Sequence, residues 1–247
     1  MIEQATSMKP RSDLGIRTIS GVIMMSVAIA AIWLGGFAFM ALVIFVGVAV
    51  YWEFSKLALG FVKSINSRIL WLLGGLIYIG LACFTLVIFS APFFGMTPAI
   101  MLIAGVIGTD VGAYFAGRTI GGPKIAPQIS PSKTWSGLIG GMVGAGLLMI
   151  AVQAIIYWGR VDARDHSDIY LAYSWKTLAI TGLALAIVAQ VGDFFESWMK
   201  RRAGVKDSGR LIPGHGGLFD RTDGLIAVAF VAGLIVIFQM WVGSLPT

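Results

Sequence analysis

Seven long apolar runs, parted by short polar or glycine-rich stretches, organise this chain. They cover roughly residues 16–35, 37–58, 69–91, 96–117, 136–158, 177–200 and 222–243. Crossing a hydrocarbon core of about 30 Å takes a helix of about 20 apolar residues, so each run predicts a membrane-spanning helix. The Gly35-Gly36 pair divides the first two runs, and the third ends before Ala91-Pro92. Gly140, Gly141 and Gly144 in the fifth run let a neighbouring helix pack closely. No internal repeat is convincing. The polar stretch from Met1 to Arg17 precedes an apolar run too long for a signal-peptide core, so that run is expected to be the first span rather than a cleaved leader.

Composition agrees. Hydrophobic residues make up 57% of the 247 and charged residues 12%, with a mean hydropathy of +0.87. Soluble domains are about a quarter charged, so a single water-soluble core is excluded. A net charge of +6 would suggest nucleic acid in a soluble protein. Here it points to anionic headgroups and phosphates at a membrane surface, and no nucleic-acid partner is expected. Cys83 is the single cysteine and lies in an apolar run, which rules out a disulfide framework or a thiol-rich metal site and suits a core position.

The basic residues set a topology. With the N-terminus inside, 15 of the 18 Lys and Arg residues fall on inside segments, and only Arg160, Arg164 and Lys176 fall outside. The expected fold is therefore an all-α integral membrane protein of about seven transmembrane helices with a cytoplasmic N-terminus. Its expected parts are a tail over 1–15, N-terminal helices over 16–95, and a catalytic region over 96–247 with cytoplasmic loops at 117–136 and 200–222. The outer stretch 159–175, with Asp162, Asp165, His166 and Asp168, is expected to be a solvated connector.

Against this apolar background the acids stand out. Asp110 lies about two turns before the inside end of the fourth run, and Asp193 about two turns before that of the sixth. Glu196 and Ser197 share a helix face with Asp193, and Asp220 and Asp223 share one at the start of the seventh run. Glu53 is near the inside end of the second. Intramembrane acids are costly and mark function by default. Locking helices together through Lys or Arg is the plainer explanation for any one of them. Carboxylates gathered from several helices repel unless a cation sits among them, and oxygen-only ligands suit Mg²⁺. Asp110, Asp193, Asp220 and Asp223 are thus the candidate metal ligands.

Two inside loops add the bases. Between the sixth and seventh runs, Lys200, Arg201, Lys206 and Arg221 can neutralise a polyphosphate, and Gly216 and Gly217 let backbone N–H groups approach it. The start of the seventh helix favours anions as well. Before the fifth run, Ser132, Lys133 and Thr134 stand at another helix start. They suit phosphate, or an N-cap with a snorkelling lysine.

The stretch Ser197 to Asp223 resembles the signature of CDP-diacylglycerol synthase (phosphatidate cytidylyltransferase). That signature reads Ser-x-apolar-Lys-Arg, four residues, Lys-Asp, a spacer, then Pro-x-His-Gly-Gly-apolar-x-Asp-Arg-x-Asp. Ser197, Lys200, Arg201, Lys206, Asp207, Pro213, His215, Gly216, Gly217, Asp220, Arg221 and Asp223 all fall on it. The segment Ser130-Pro-Ser-Lys-Thr-Trp135 is similar to one that precedes a helix in that family, where Glu usually follows the Trp; here Ser136 follows. The resemblance covers the chain from about Gly108 onward; the chain is somewhat short for the family, so one or two of the family's N-terminal spans are expected to be missing.

The resemblance implies that CTP and phosphatidic acid give CDP-diacylglycerol and pyrophosphate, the step leading from phosphatidate to phospholipids, with Mg²⁺ and room for a second cation. It implies catalytic roles for Lys200, Arg201, Lys206, Asp207, His215 and Arg221, substrate binding by Ser132, Lys133, Thr134, Ser197, Gly216 and Gly217, and metal binding by Asp110, Asp193, Asp220 and Asp223. His215 suits phosphate, cytosine or a structural place in its turn. The expected setting is a bacterial inner membrane with the site facing the cytoplasm, and a homodimer is compatible. The rival readings are a CTP-dependent lipid-alcohol kinase and an ion transporter.

Overall fold

The computed structural model describes residues 12–92, 95–161 and 174–243. The seven runs become seven helices: α1 (Ser12–Leu34), α2 (Gly36–Phe61), α3 (Ile65–Ile88), α4 (Thr97–Thr119), α5 (Trp135–Val161), α6 (Trp175–Ala203) and α7 (Phe219–Gly243). All seven are long and apolar enough to cross a membrane. The expected all-α membrane architecture holds. The connector with Asp162, Asp165, His166 and Asp168 lies outside the described residues.

One element departs from the expected loops. Lys124–Ala126 (β1) and Ser130–Thr134 (β2) form a small antiparallel hairpin between α4 and α5. Its turn closes with Ile129 N–H donating to the Ala126 carbonyl at 3.1 Å, with Pro127 just after Ala126 to set φ. Strands this short carry no periodic signal, and Pro127 and Pro131 argue against strands in a sequence.

Glycines decide how α4 and α5 meet. A Cβ on Gly108 would stand 2.5 Å from the Gly144 carbonyl oxygen, and one on Gly112 would strike the Gly140 carbonyl. The two backbones therefore touch, which carries Asp110 on α4 beside the hairpin that leads into α5. Gly192 plays the same part between α6 and α7: a Cβ there would lie 2.8 Å from the Asp223 carbonyl oxygen.

The helices of the N-terminal half hold the other side of α6 and α7. Phe54 and Phe61 of α2, Trp71 and Tyr78 of α3, and Phe195 and Trp198 of α6 form an aromatic cluster; Trp71 and Trp198 stack at 5.9 Å between ring centroids. Phe219, fully buried at the start of α7, meets Phe54 edge-on at 6.1 Å. This packing sets the end of α6 and the start of α7 at one end of the bundle, where the site is built.

Candidate active site

The α6–α7 connection is shaped by its turns. Gly204 ends α6 in the left-handed region (φ 70°), and its N–H reaches the Arg201 carbonyl at 3.2 Å. Further on, Ile212-Pro213-Gly214-His215 turns back on itself: Pro213 suits the first central position and Gly214, at φ 77°, the second. His215 N–H then reaches the Ile212 carbonyl at 3.0 Å, and Ile212 N–H reaches Gly216 at 3.1 Å. Arg221 of α7 closes the turn by donating to the His215 carbonyl, through one terminal nitrogen at 2.9 Å. The Ser20 hydroxyl of α1 meets His215 Nδ1 at 2.8 Å and donates to the Pro213 carbonyl at 2.9 Å. Neither Ser20 nor α1 is foreseen as part of the site, because no signature residue precedes Gly108.

The four aspartates sort into two tiers, each joining α6 to α7. Three residues of helix separate the tiers, a rise of about 4.5 Å. In the first, Asp193 and Asp223 lie close enough for their charges to act on one another, and Asp110 of α4 joins them. Lys133 of β2 forms an ion pair with Asp193, and the Ser197 hydroxyl lies 3.3 Å from the other Asp193 oxygen. A cleft of about 300 Å³ opens here, lined by Asp110, Tyr114, Arg118, Ser132, Lys133 and Gln190 among others.

In the second tier, Lys200 lies 2.6 Å from both Glu196 and Asp220. The other Asp220 oxygen accepts the N–H groups of Ser208 and Gly217, both at 2.9 Å. Asp220 therefore does not share a cluster with Asp223, although the two stand three apart on one helix. Both of its oxygens hold the loop and Lys200, and a metal-ligand role would require it to give these up. Gly217 departs from expectation likewise: its N–H is used by Asp220, and its open side is filled by Ser208 and Glu53.

The remaining candidates divide by exposure. Arg201, Lys206, Asp207 and Arg221 are exposed around the loop, and Ser132 is exposed on the hairpin. Arg201 also donates from Nε to the Ile129 carbonyl at 3.3 Å, tying α6 to the hairpin turn. Thr134 is buried and caps α5, its hydroxyl accepting the Gly137 N–H at 3.1 Å, so of its two expected roles the structure displays the capping one. Ser136 donates to the Gly121 carbonyl and bonds Thr134 at 3.1 Å, bracing the hairpin where the resembling family has an acid.

The donor chemistry of the first tier fits a hard divalent cation. Asp110, Asp193 and Asp223 offer carboxylate oxygens from three helices, and Asp110 lines the cleft. Among the described residues, no three His, Cys, Asp or Glu side chains stand within reach of one ion. An ion bound here would therefore be held directly by fewer than three of these carboxylates, with water or phosphate oxygens needed to complete its shell.

Known proteins resemble this chain well beyond its C-terminal half. A relative from Brucella suis biovar 1, named phosphatidate cytidylyltransferase, is 34% identical over 88% of this chain and 91% of its own length. Relatives of the same name from Rickettsia bellii and Rickettsia prowazekii are 36% and 35% identical, over 92% and 93% of this chain and 94% and 95% of their own. The resemblance thus takes in N-terminal helices that the signature alone does not reach, in keeping with the contacts of α1 and α2 to the loop. Residues 61–239 match the profile of the cytidylyltransferase family, a span holding the hairpin, both acid tiers and the loop between them. By that match and by the extent of its likeness to these relatives, the chain belongs to the cytidylyltransferase family and is a nucleotidyltransferase.

Proposed function

We propose that the protein is a phosphatidate cytidylyltransferase, joining CTP and phosphatidate to give CDP-diacylglycerol and pyrophosphate. A phosphate oxygen of phosphatidate bonds to the α-phosphorus of CTP, and the bond from that phosphorus to the bridging oxygen of the β-phosphate breaks. The observation that carries the reading is the ion pair of Lys133 with Asp193 next to a cleft that Lys133 and Asp110 line, with Asp223 within reach of the charge on Asp193. Water-borne nucleotide can enter at an end of the helix bundle while acyl chains stay in lipid.

The attacking phosphate is already ionised, so no strong general base is needed. Two polyanions must instead be brought together, and positioning with charge stabilisation supplies most of the rate in such transfers. Lys133 and Arg118 line the cleft, and Lys200, Arg201, Lys206 and Arg221 are carried by the end of α6, the connection that follows it and the start of α7. Together they would hold the triphosphate and the lipid phosphate against their mutual repulsion. Asp193 and Asp223, with Asp110 beside them, are the residues we assign to Mg²⁺, which when bound would neutralise charge building up on the departing pyrophosphate. Asp220 orders Lys200 and the loop. The bias of Lys and Arg towards this end of the helices supports a cytoplasmic orientation in a bacterial inner membrane.

The test uses purified protein in detergent with phosphatidate, Mg²⁺ and CTP labelled at either the α- or the γ-phosphate. Label from α-labelled CTP in the lipid, with release of pyrophosphate, is the expected result. Label transferred from the γ-position would identify a lipid kinase instead. No turnover of CTP, together with solute uptake by reconstituted vesicles, would identify a transporter.

A further inference from the structure

Glu53 belongs to α2, outside the signature, yet its side chain is wholly buried against the loop that carries the signature. One carboxylate oxygen accepts the backbone N–H of Phe219 at 2.8 Å and lies 3.1 Å from the Ser208 hydroxyl. A Cβ on Gly209 would strike the other oxygen, and one on Gly217 would stand 2.7 Å from the first. The loop thus leaves two side-chain-free positions against this carboxylate.

The need for an acid follows from α7. The first N–H groups of a helix lack intrahelical partners, and Leu218, which precedes Phe219, has no side-chain acceptor to cap them. Glu53 supplies the cap from another helix, where the helix dipole favours negative charge. The Ser208 hydroxyl has one proton and lies between two carboxylates, 3.1 Å from Glu53 and 2.9 Å from Asp220. Asp220 already accepts two backbone N–H groups on that same oxygen, so Glu53 is the acceptor that gains more from the hydroxyl. A carboxylate buried this fully is costly unless such bonds hold it; here they hold one oxygen, while the other is buried against Gly209 without a hydrogen-bond partner among the described residues.

We propose that Glu53 is a positioning residue of the transferase site. By capping α7 and holding Ser208, it sets the start of α7, where Asp220 grips Lys200 and Arg221 is carried, and the loop from which Lys206 and His215 reach substrate. It touches no substrate itself. The proposal rests on the cytidylyltransferase reading only for its kinetic consequence; the ordering of the loop can be read without any reaction.

The test compares Glu53→Gln, which keeps the accepting oxygen, with Glu53→Leu, which removes it. CDP-diacylglycerol synthesis and amide hydrogen exchange are followed on full-length protein in detergent. Expected for Glu53→Gln is a kcat within about threefold of wild type. Expected for Glu53→Leu is a kcat lowered at least thirtyfold, with exchange quickened at least tenfold across 205–220 and unchanged in α4 and α5. Wild-type kcat in Glu53→Leu, equal losses in both variants, or exchange quickened throughout the protein would each overturn the proposal. Should Glu53→Leu not be recovered folded, Glu53→Asp, one methylene short, takes its place: at least a tenfold loss with loop-confined exchange is expected, and wild-type kcat overturns the proposal. A wild-type protein that makes no CDP-diacylglycerol overturns the functional reading instead, and the exchange comparison then decides on Glu53 alone.

Discussion

Lys133, which lines the cleft, pairs with Asp193, joining a β-hairpin to the sixth helix. The pair is about a quarter exposed on each side, so it is open to incoming substrate. An ammonium on a flexible stem, balanced by a carboxylate that can turn to a metal, can shift its bond to a phosphate at little cost. Replacing Lys133 by Met should lower kcat/KM for CTP by about 100- to 1,000-fold, the usual loss on removing one charge-stabilising donor. Gel filtration should show unchanged folding. A loss under threefold would remove Lys133 from the site.

Asp223→Asn and Asp220→Asn should fail in different ways. Asp223 faces the other acids of the first tier, and its change should abolish detectable turnover and raise the Mg²⁺ needed for any that remains. Thermal stability should stay close to wild type, since Asp223 bears no ion pair among the described residues. Asp220 holds Lys200 and two loop amides while 11% exposed. Its amide variant leaves those groups short of an acceptor and should destabilise the protein by about 2–4 kcal/mol. Thermal unfolding in detergent, run beside a Mg²⁺ titration of activity, separates the two.

Gly112→Ala should unsettle the seam between α4 and α5, because the added methyl meets the Gly140 carbonyl. A loss of about 1–3 kcal/mol is expected, as for overpacking generally. Activity should fall with it, since α4 carries Asp110 and α5 anchors the hairpin. Gly74→Ala is the control: a Cβ there meets nothing within 4 Å, and its thermal midpoint should match wild type.

Ser136→Ala removes two hydrogen bonds that brace the hairpin base. A cost of about 1 kcal/mol and a loss of activity below tenfold are expected. A collapse of activity with folding intact would assign Ser136 to the substrate instead.

Much of this was legible in the chain alone. Seven apolar runs of spanning length specify seven helices because backbone polar groups in lipid must be paired within each segment. The spacing from Ser197 to Asp223 carries the resemblance to the family and marks the candidate site, since bases, glycines and acids crowd there as a phosphate site would require. Tertiary structure alone decided which acids meet. Spacing puts Asp220 and Asp223 on one face of α7, but the close crossing at Gly192 brings Asp223 to Asp193, and the returning loop takes Asp220 for itself. It also decided the place of Glu53 and Ser20: partners 155 and 195 residues distant leave no local pattern, because such contacts are set by helix packing and not by neighbours in the chain.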